Sequence, residues 1–411
     1  MQNRSLEIES TGNPVGGLLP LGVVPPLDYL PERMWACAIR KEREGAPLQA
    51  LQIEDVPIPE LGANDVLVLV MAAGINYNAI WLAQGKPVSA FRLHKDLFHI
   101  PGSDAAGIVW RVGSSVRRWR PGDEVVIHCN QSCGECPECN GFDPMACTEQ
   151  RIWGYETNWG SFAQFTRVQS QQLLRKPAHL NWEESSCYGL TFFTAYRMLI
   201  EQARVQPGER VLIWGAGGGL GVFAVQLCLL TGAVPIAVVS SEEKAELVRA
   251  LGASLVINRS GFDLGYKSGE SAERTASRLA ETRRFGRALR ELTGGRDPEV
   301  VFEHVGCETF AASVFLAGRF GRIVICGATS GYELSFDVRH LWMRQKQILG
   351  SHFANAYQSH RANQLIIDQK IRPVLDRVLP FHEVAQAHQM LMANTHKGKL
   401  AVRIQSPSPN A

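Results

Sequence analysis

The sequence predicts a two-domain α/β protein, with a doubly wound parallel sheet beside a β-rich domain. Three observations carry this. From Met34 to about residue 185 the chain runs in short apolar or alternating segments between Pro and Gly turns. Beyond about Glu183, apolar strands alternate with helix-length segments, the pattern of parallel βαβ units. Between the first of those strands and the first helix stands a glycine cluster, Gly215, Gly217, Gly218, Gly219 and Gly221.

The elements follow in order. Residues 1–33, rich in Pro and Gly, read as an extended arm lying on the body. In the β-rich domain, residues 34–185, strands are expected at Ala36–Ile39, Leu48–Ile53, Val66–Val70, Ala105–Val112 and Glu124–Ile127. In the second domain, residues 186–330, they are expected at Val211–Trp214, Pro235–Val239, Leu255–Ile257, Val300–Glu303 and Gly321–Cys326. These runs are apolar because a parallel sheet is covered on both faces. Glu242–Leu251 reads as a helix with a Ser cap and an acidic first turn. Lys267–Arg290 reads as a polar, solvated helix or loop. Residues 331–411 read as a return to the first domain, with a helix at Phe381–Ala393.

Composition sets limits. The 411 residues suffice for two cores. Forty-two Lys and Arg against 40 Asp and Glu leave a formal charge of +2, so no bulk field favours nucleic acid or a membrane surface. Val211–Ser241 carries no charge and is long enough to cross a bilayer, but its glycine cluster and Pro235 mark strand–turn–helix–strand instead. Met1–Leu30 has no basic segment followed by an apolar core, so no signal peptide and a cytoplasmic location are expected.

The glycine cluster predicts a dinucleotide site. Gly215, Gly218, Gly219, Leu220 and Gly221 let the backbone approach a pyrophosphate at a helix N-terminus, where unpaired N–H groups and the helix dipole favour an anion. The end of the second strand lacks the usual acidic residue and offers Ser240, Ser241 and Lys244, with Arg259 after the third strand. Hydroxyls and cations suit a 2′-phosphate, so NADPH is favoured, provided Glu242 and Glu243 point outward.

Five of the ten cysteines fall between Cys129 and Cys147. Cys133, Cys136, Cys139 and Cys147 have the short spacings of a four-thiolate zinc site, with Cys129 the spare, in a lobe spanning 129–150. Four protein ligands leave no open position, so such a zinc is structural.

Together these features resemble the medium-chain dehydrogenase/reductase superfamily, whose alcohol dehydrogenases carry the same four-Cys lobe. The resemblance implies a GroES-like catalytic domain and a Rossmann nucleotide domain. Those alcohol dehydrogenases also hold a catalytic zinc, and here its ligand positions carry Asn76 and the Gly102-Ser103-Asp104 segment. Without that Lewis acid a conjugated thioester is a more fitting substrate than an alcohol. More narrowly, Asn76–Trp81, Glu149–Asn158, Leu212–Gly215, Val301–His304 and Gly350–Asn355 are similar to crotonyl-CoA carboxylase/reductases. That resemblance implies reduction of an enoyl-CoA by NADPH and capture of the enolate by CO2, giving an alkylmalonyl-CoA. It puts a CO2 pocket on Asn78, Tyr155, Glu156 and His352, with Glu156 accepting from the His352 ring, and a CoA contact on Arg339. A homodimer or homotetramer is the family expectation. Tyr155 stands where Phe is usual, and His340 where a tyrosine is. Three alternatives remain at this point: an NADPH-dependent enoyl-CoA reductase with Tyr155 as proton donor, a non-catalytic NADPH-binding protein, and a zinc alcohol dehydrogenase.

Overall fold

The computed structural model describes residues 17–265 and 271–407. Six parallel strands form the nucleotide-binding sheet: β1 (Arg210–Ile213), β2 (Val234–Val239), β3 (Leu255–Asn258), β4 (Val300–Glu303), β5 (Arg322–Ile325) and β6 (Gln347–Gly350). Their order is β3-β2-β1-β4-β5-β6, a doubly wound arrangement whose strand order reverses at β1 and β4. Alternate residues enter separate cores. Val211, Ile213, Val300 and Phe302 pack on one face, while Leu212, Trp214 and Val301 pack on the other.

Helix α1 (Gly221–Thr231) crosses from β1 to β2, and α2 (Glu242–Ala250) follows β2. The Ser241 hydroxyl accepts from the Lys244 N–H at 3.3 Å, as expected of the cap. The polar stretch after β3 forms the helix Ala272–Leu292, largely exposed as the solvated-helix reading expects, with one face packed on the sheet. Its buried Phe285 stacks on Trp214, with ring centroids 5.5 Å apart. Residues 267–270 of that segment lie outside the described residues, as do 1–16 of the arm.

The parallel sheet continues past residue 330, where the sequence pattern suggested a return to the first domain. β6 is an edge strand with exposed Gln347 and Ile348, so it lacks the apolar signature that identifies the inner strands. The return comes later. Leu375–Pro380 and Lys399–Arg403 join a seven-stranded, mainly antiparallel sheet, where Lys399–Arg403 pairs with Asp65–Gly74. Leu48–Ile53 is also not a single strand: Pro47–Ala50 forms one helical turn, begun by a proline at its first position, and the strand runs Gln52–Pro57. The expected C-terminal helix divides into a 3₁₀ turn, Phe381–Glu383, and the helix Val384–Met392. The described part of the arm lies on this domain. Trp110 Nε1 donates to the Tyr29 carbonyl at 2.7 Å, and Gly22 N–H donates to Ile404 O at 3.0 Å. Among the described residues, no helix is long and apolar enough to cross a membrane.

Gly154 fixes the tight turn that carries Tyr155 and Glu156. Its φ is +69°, and a Cβ there would lie 1.9 Å from the Gly102 carbonyl oxygen. Gly154→Ala is therefore expected to destabilise the fold by about 2–4 kcal/mol, read from the urea midpoint. A loss below 0.5 kcal/mol would show that this turn relaxes freely.

Candidate functional site

Between the two sheets lies a cleft of about 490 Å³. One wall is the glycine loop. Gly215, Gly218, Gly219 and Leu220 line it, and Gly221 begins α1. Two of its glycines leave no room for a side chain. A Cβ on Gly221 would sit 2.3 Å from the Gly215 carbonyl, and one on Gly217 would sit 2.8 Å from Lys244 Cβ. No acidic side chain occupies the first turn of α1, so the positive end of the helix dipole is left to attract an anion.

At the end of β2, Ser240, Lys244 and Arg259 line the same cleft. Ser241 does not line it, because its hydroxyl is used in capping α2. The Lys244 ammonium donates to Asn394 Oδ1 at 2.6 Å and to the Asn394 carbonyl at 3.0 Å. Asn394 is therefore part of this corner, and no local pattern around it signals the role. Burial and then the Arg259 charge lower the Lys244 pKa. Glu242 turns outward to Arg249, at 2.6 Å between two exposed side chains, while Glu308 lines the cleft 3.9 Å from Arg259, so the corner holds two cations and one carboxylate. This donor set fits the 2′-phosphate of NADPH.

Asn78 lines the opposite wall, on the short helix Tyr77–Ala83. One N–H of its amide is fixed on Ser103 Oγ at 2.7 Å, and its Oδ1 accepts from the Ala79 N–H at 2.9 Å. Its second N–H is left for a ligand. At the foot of this wall Asn76 and Asp104 meet Lys399. The ammonium donates to Asn76 Oδ1 and, at 2.9 Å, to the Ile75 carbonyl, and lies 3.6 Å from Asp104 Oδ2. Both charged side chains are 3% exposed or less. Burial raises the Asp104 carboxyl to about 6, against the Lys399 charge and the Asn76 hydrogen bond, which lower it.

The other expected pocket residues are only partly assembled. Tyr155 donates its hydroxyl to the Lys86 carbonyl at 2.7 Å, and burial pushes its phenol pKa up. Glu156 accepts from the Ile152 N–H at 2.8 Å and lines a second, shallower groove with Arg92 and His94. The expected hydrogen bond from His352 to Glu156 does not form, because the turn after Ile152 folds the carboxylate back onto its own backbone. His352 follows β6 and packs edge-on against Phe353, at 4.7 Å between centroids, and Phe353 lines the cleft. Although His352 keeps solvent contact, the protein around it and the Arg197 charge lower its pKa. Arg339 stands apart from the cleft, 72% exposed and paired with Asp337 at 2.7 Å.

The four-Cys lobe is brought together. The sulfurs of Cys133, Cys136, Cys139 and Cys147 all lie within 4.8 Å of one another, and Cys133 is 3.9 Å from Cys139 and 3.6 Å from Cys147. Tetrahedral zinc with bonds of about 2.3 Å sets sulfurs about 3.8 Å apart, so the lobe fits a structural zinc. The lobe also reaches the His352 segment. Asp143 accepts from Arg197 at 2.7 Å and from Asn355 Nδ2 at 3.0 Å. His128 Nε2 and Asn130 Nδ2 both meet the Ala354 carbonyl, at 2.7 and 2.6 Å. None of these partners was legible from local patterns.

Comparisons with known proteins agree with this architecture. Residues 62–178 match the alcohol dehydrogenase GroES-like domain, and residues 219–368 match the zinc-binding dehydrogenase family. The chain is similar to the crotonyl-CoA carboxylase/reductase of Cereibacter sphaeroides, 51% identical over 96% of this chain and 93% of that protein. A solved structure of a crotonyl-CoA carboxylase/reductase superposes with a TM-score of 0.88 at 51% identity, covering 96% of this chain and 93% of the other. A 2-octenoyl-CoA carboxylase reductase, solved with NADP and 2-octenoyl-CoA, gives 0.87 at 39% identity, covering 93% and 90%. With half its residues shared along nearly its whole length, the chain belongs to the crotonyl-CoA carboxylase/reductase family of the medium-chain dehydrogenase/reductase superfamily.

Proposed function

We propose that this protein uses NADPH to reduce a 2-enoyl-CoA and carboxylates the resulting enolate to an alkylmalonyl-CoA. The observation that carries the reading is Asn78, held by Ser103 with one amide N–H facing the cleft that the glycine loop also lines. NADPH supplies a hydride to the β-carbon of the thioester, and the enolate so formed attacks CO2. The residues do the rest. The glycine loop and the N-terminus of α1 hold the pyrophosphate, and Ser240, Lys244 and Arg259 hold the 2′-phosphate. Asn78 donates to a CO2 oxygen, and His352 approaches from the side of Phe353. The Tyr155 ring excludes water whose proton would quench the enolate.

Simple reduction needs a proton donor at the α-carbon. The Tyr155 hydroxyl is committed to the Lys86 carbonyl and its pKa is raised by burial, which makes it a poor acid. In this reading Glu156 is a positioning residue that closes the Tyr155 turn through the Ile152 N–H. Arg339 stays a proposed CoA contact that needs the acyl-CoA to reach across the surface. Exposed Val338, Trp342, Met343 and Ile348 beside the open edge of β6 support a homodimer or homotetramer.

The test is the mass of the product from NADPH and crotonyl-CoA with and without bicarbonate. A product one CO2 heavier, formed only with bicarbonate, is expected. Butyryl-CoA alone at saturating bicarbonate would overturn the carboxylation reading. Asn78→Ala is expected to cut the carboxylated share of product at least tenfold while NADPH oxidation continues.

Metal analysis is expected to find one zinc per chain, and stripping it should lower the thermal midpoint. Because the lobe holds the His352 segment through Asp143 and the Ala354 carbonyl, carboxylation should fall before NADPH oxidation does. Equal loss of both would place the lobe's influence elsewhere.

A further inference from the structure

The reaction proposed above leaves one buried charged group of the cleft without a task. Lys399 lines the cleft but lies in neither the phosphate corner nor the Asn78 pocket. Its backbone belongs to the glycine loop's surroundings. The preceding Gly398 donates its N–H to the Gly217 carbonyl at 2.8 Å, and Gly398 and Gly218 form a parallel bridge. Its stem runs past the loop, where a Cβ on Gly219 would stand 2.8 Å from Lys399 Cδ. Its ammonium ends under the other wall, donating to the Ile75 carbonyl and Asn76 Oδ1 beside Asp104. Asn76 in turn donates to Asp104 Oδ2 at 3.2 Å, and the helix bearing Asn78 begins at the next residue.

One side chain therefore touches the cofactor loop and the turn that carries the CO2-orienting amide. Its ammonium donates to two protein acceptors and faces the Asp104 carboxylate, so it is held from three sides by the protein. We infer that Lys399, held by Asp104 and Asn76, is a positioning residue that fixes the Asn78 turn relative to the glycine loop, so that hydride transfer and CO2 capture share one geometry. An error of about 1 Å between reacting groups costs on the order of a hundredfold in rate, so a rigid tie between the two walls has a measurable effect.

This inference rests on the reductive-carboxylation reading, and the test separates the two. K399M keeps the stem and removes the ammonium. K399M/D104N also removes the carboxylate that would otherwise be left buried and unpaired. For each, three quantities are measured with NADPH and crotonyl-CoA: Kd for NADPH by fluorescence, kcat for NADPH oxidation, and the ratio of ethylmalonyl-CoA to butyryl-CoA at saturating bicarbonate. The expected result for both variants is a kcat reduced at least tenfold and a product ratio shifted at least fivefold toward butyryl-CoA, with Kd changed less than threefold. The double variant should recover most of the thermal midpoint lost by K399M without recovering the ratio. A folded double variant with kcat and product ratio within twofold of the parent would overturn the inference. So would a loss of NADPH affinity that accounts for the loss of kcat, which would make Lys399 a cofactor ligand, or the failure of both variants to fold. If the parent itself forms only butyryl-CoA, the carboxylation reading fails, while kcat and Kd still decide the role of Lys399.

Discussion

The cleft exists because two backbones touch: Gly398 of the returning chain lies against Gly217 and Gly218 of the nucleotide loop. That contact requires glycine on the returning side. Gly398 has φ of +59°, and a Cβ there would lie 2.4 Å from the Val374 carbonyl. Everything lining the cleft is measured from it. The strand Lys399–Arg403 starts at the next residue and pairs with Asp65–Gly74, so the contact also fixes where Asn76 and Asn78 emerge from the antiparallel sheet. A parallel and an antiparallel sheet thus share one junction, and the cavity is the space between them.

The two charged regions of the cleft work by different physics. In the phosphate corner, buried Lys244 and half-buried Arg259 face each other's field, with Glu308 3.9 Å from Arg259, an arrangement that a dianion relieves. At the floor, Lys399 and Asp104 are removed from water and satisfied by each other, by Asn76 and by backbone. A pair of that kind adds little net stability compared with apolar residues of the same volume, but it is costly to break and tolerates only one geometry. The first region is suited to receiving a ligand, and the second to holding a shape.

How much of this was legible in the sequence depended on whether the signal was local. β1, β2, β4 and β5 could be read because buried parallel strands are apolar on both faces, and Ser241 because a cap acts within three residues. The four thiols could be read from spacing alone. β6 could not, since an edge strand carries mixed side chains. Pro47–Ala50 misled because its apolar residues suit a helical turn as well as a strand. Lys399 gave no signal, because its partners Asn76 and Asp104 lie at the other end of the chain. Glu156 was assigned a partner by analogy, and its own turn offered a nearer one.

The hydrogen bond from Lys399 to Asn76 joins positions 323 residues apart, with the whole parallel sheet between them in sequence. This has a consequence for assembly. The parallel sheet is one continuous stretch, residues 210–350, so it can form as a unit before the C-terminal strands leave the ribosome. The antiparallel sheet is discontinuous and must wait for its last strands, paying the loop-closure entropy of everything between. Until Lys399–Arg403 docks, a nascent chain has a folded nucleotide lobe, while Ala72–Gly74, beyond the part of that strand covered by Phe165–Gln169, lacks its partner on one side. The step that completes the catalytic cleft is thus also the step that closes the last gap in the antiparallel sheet.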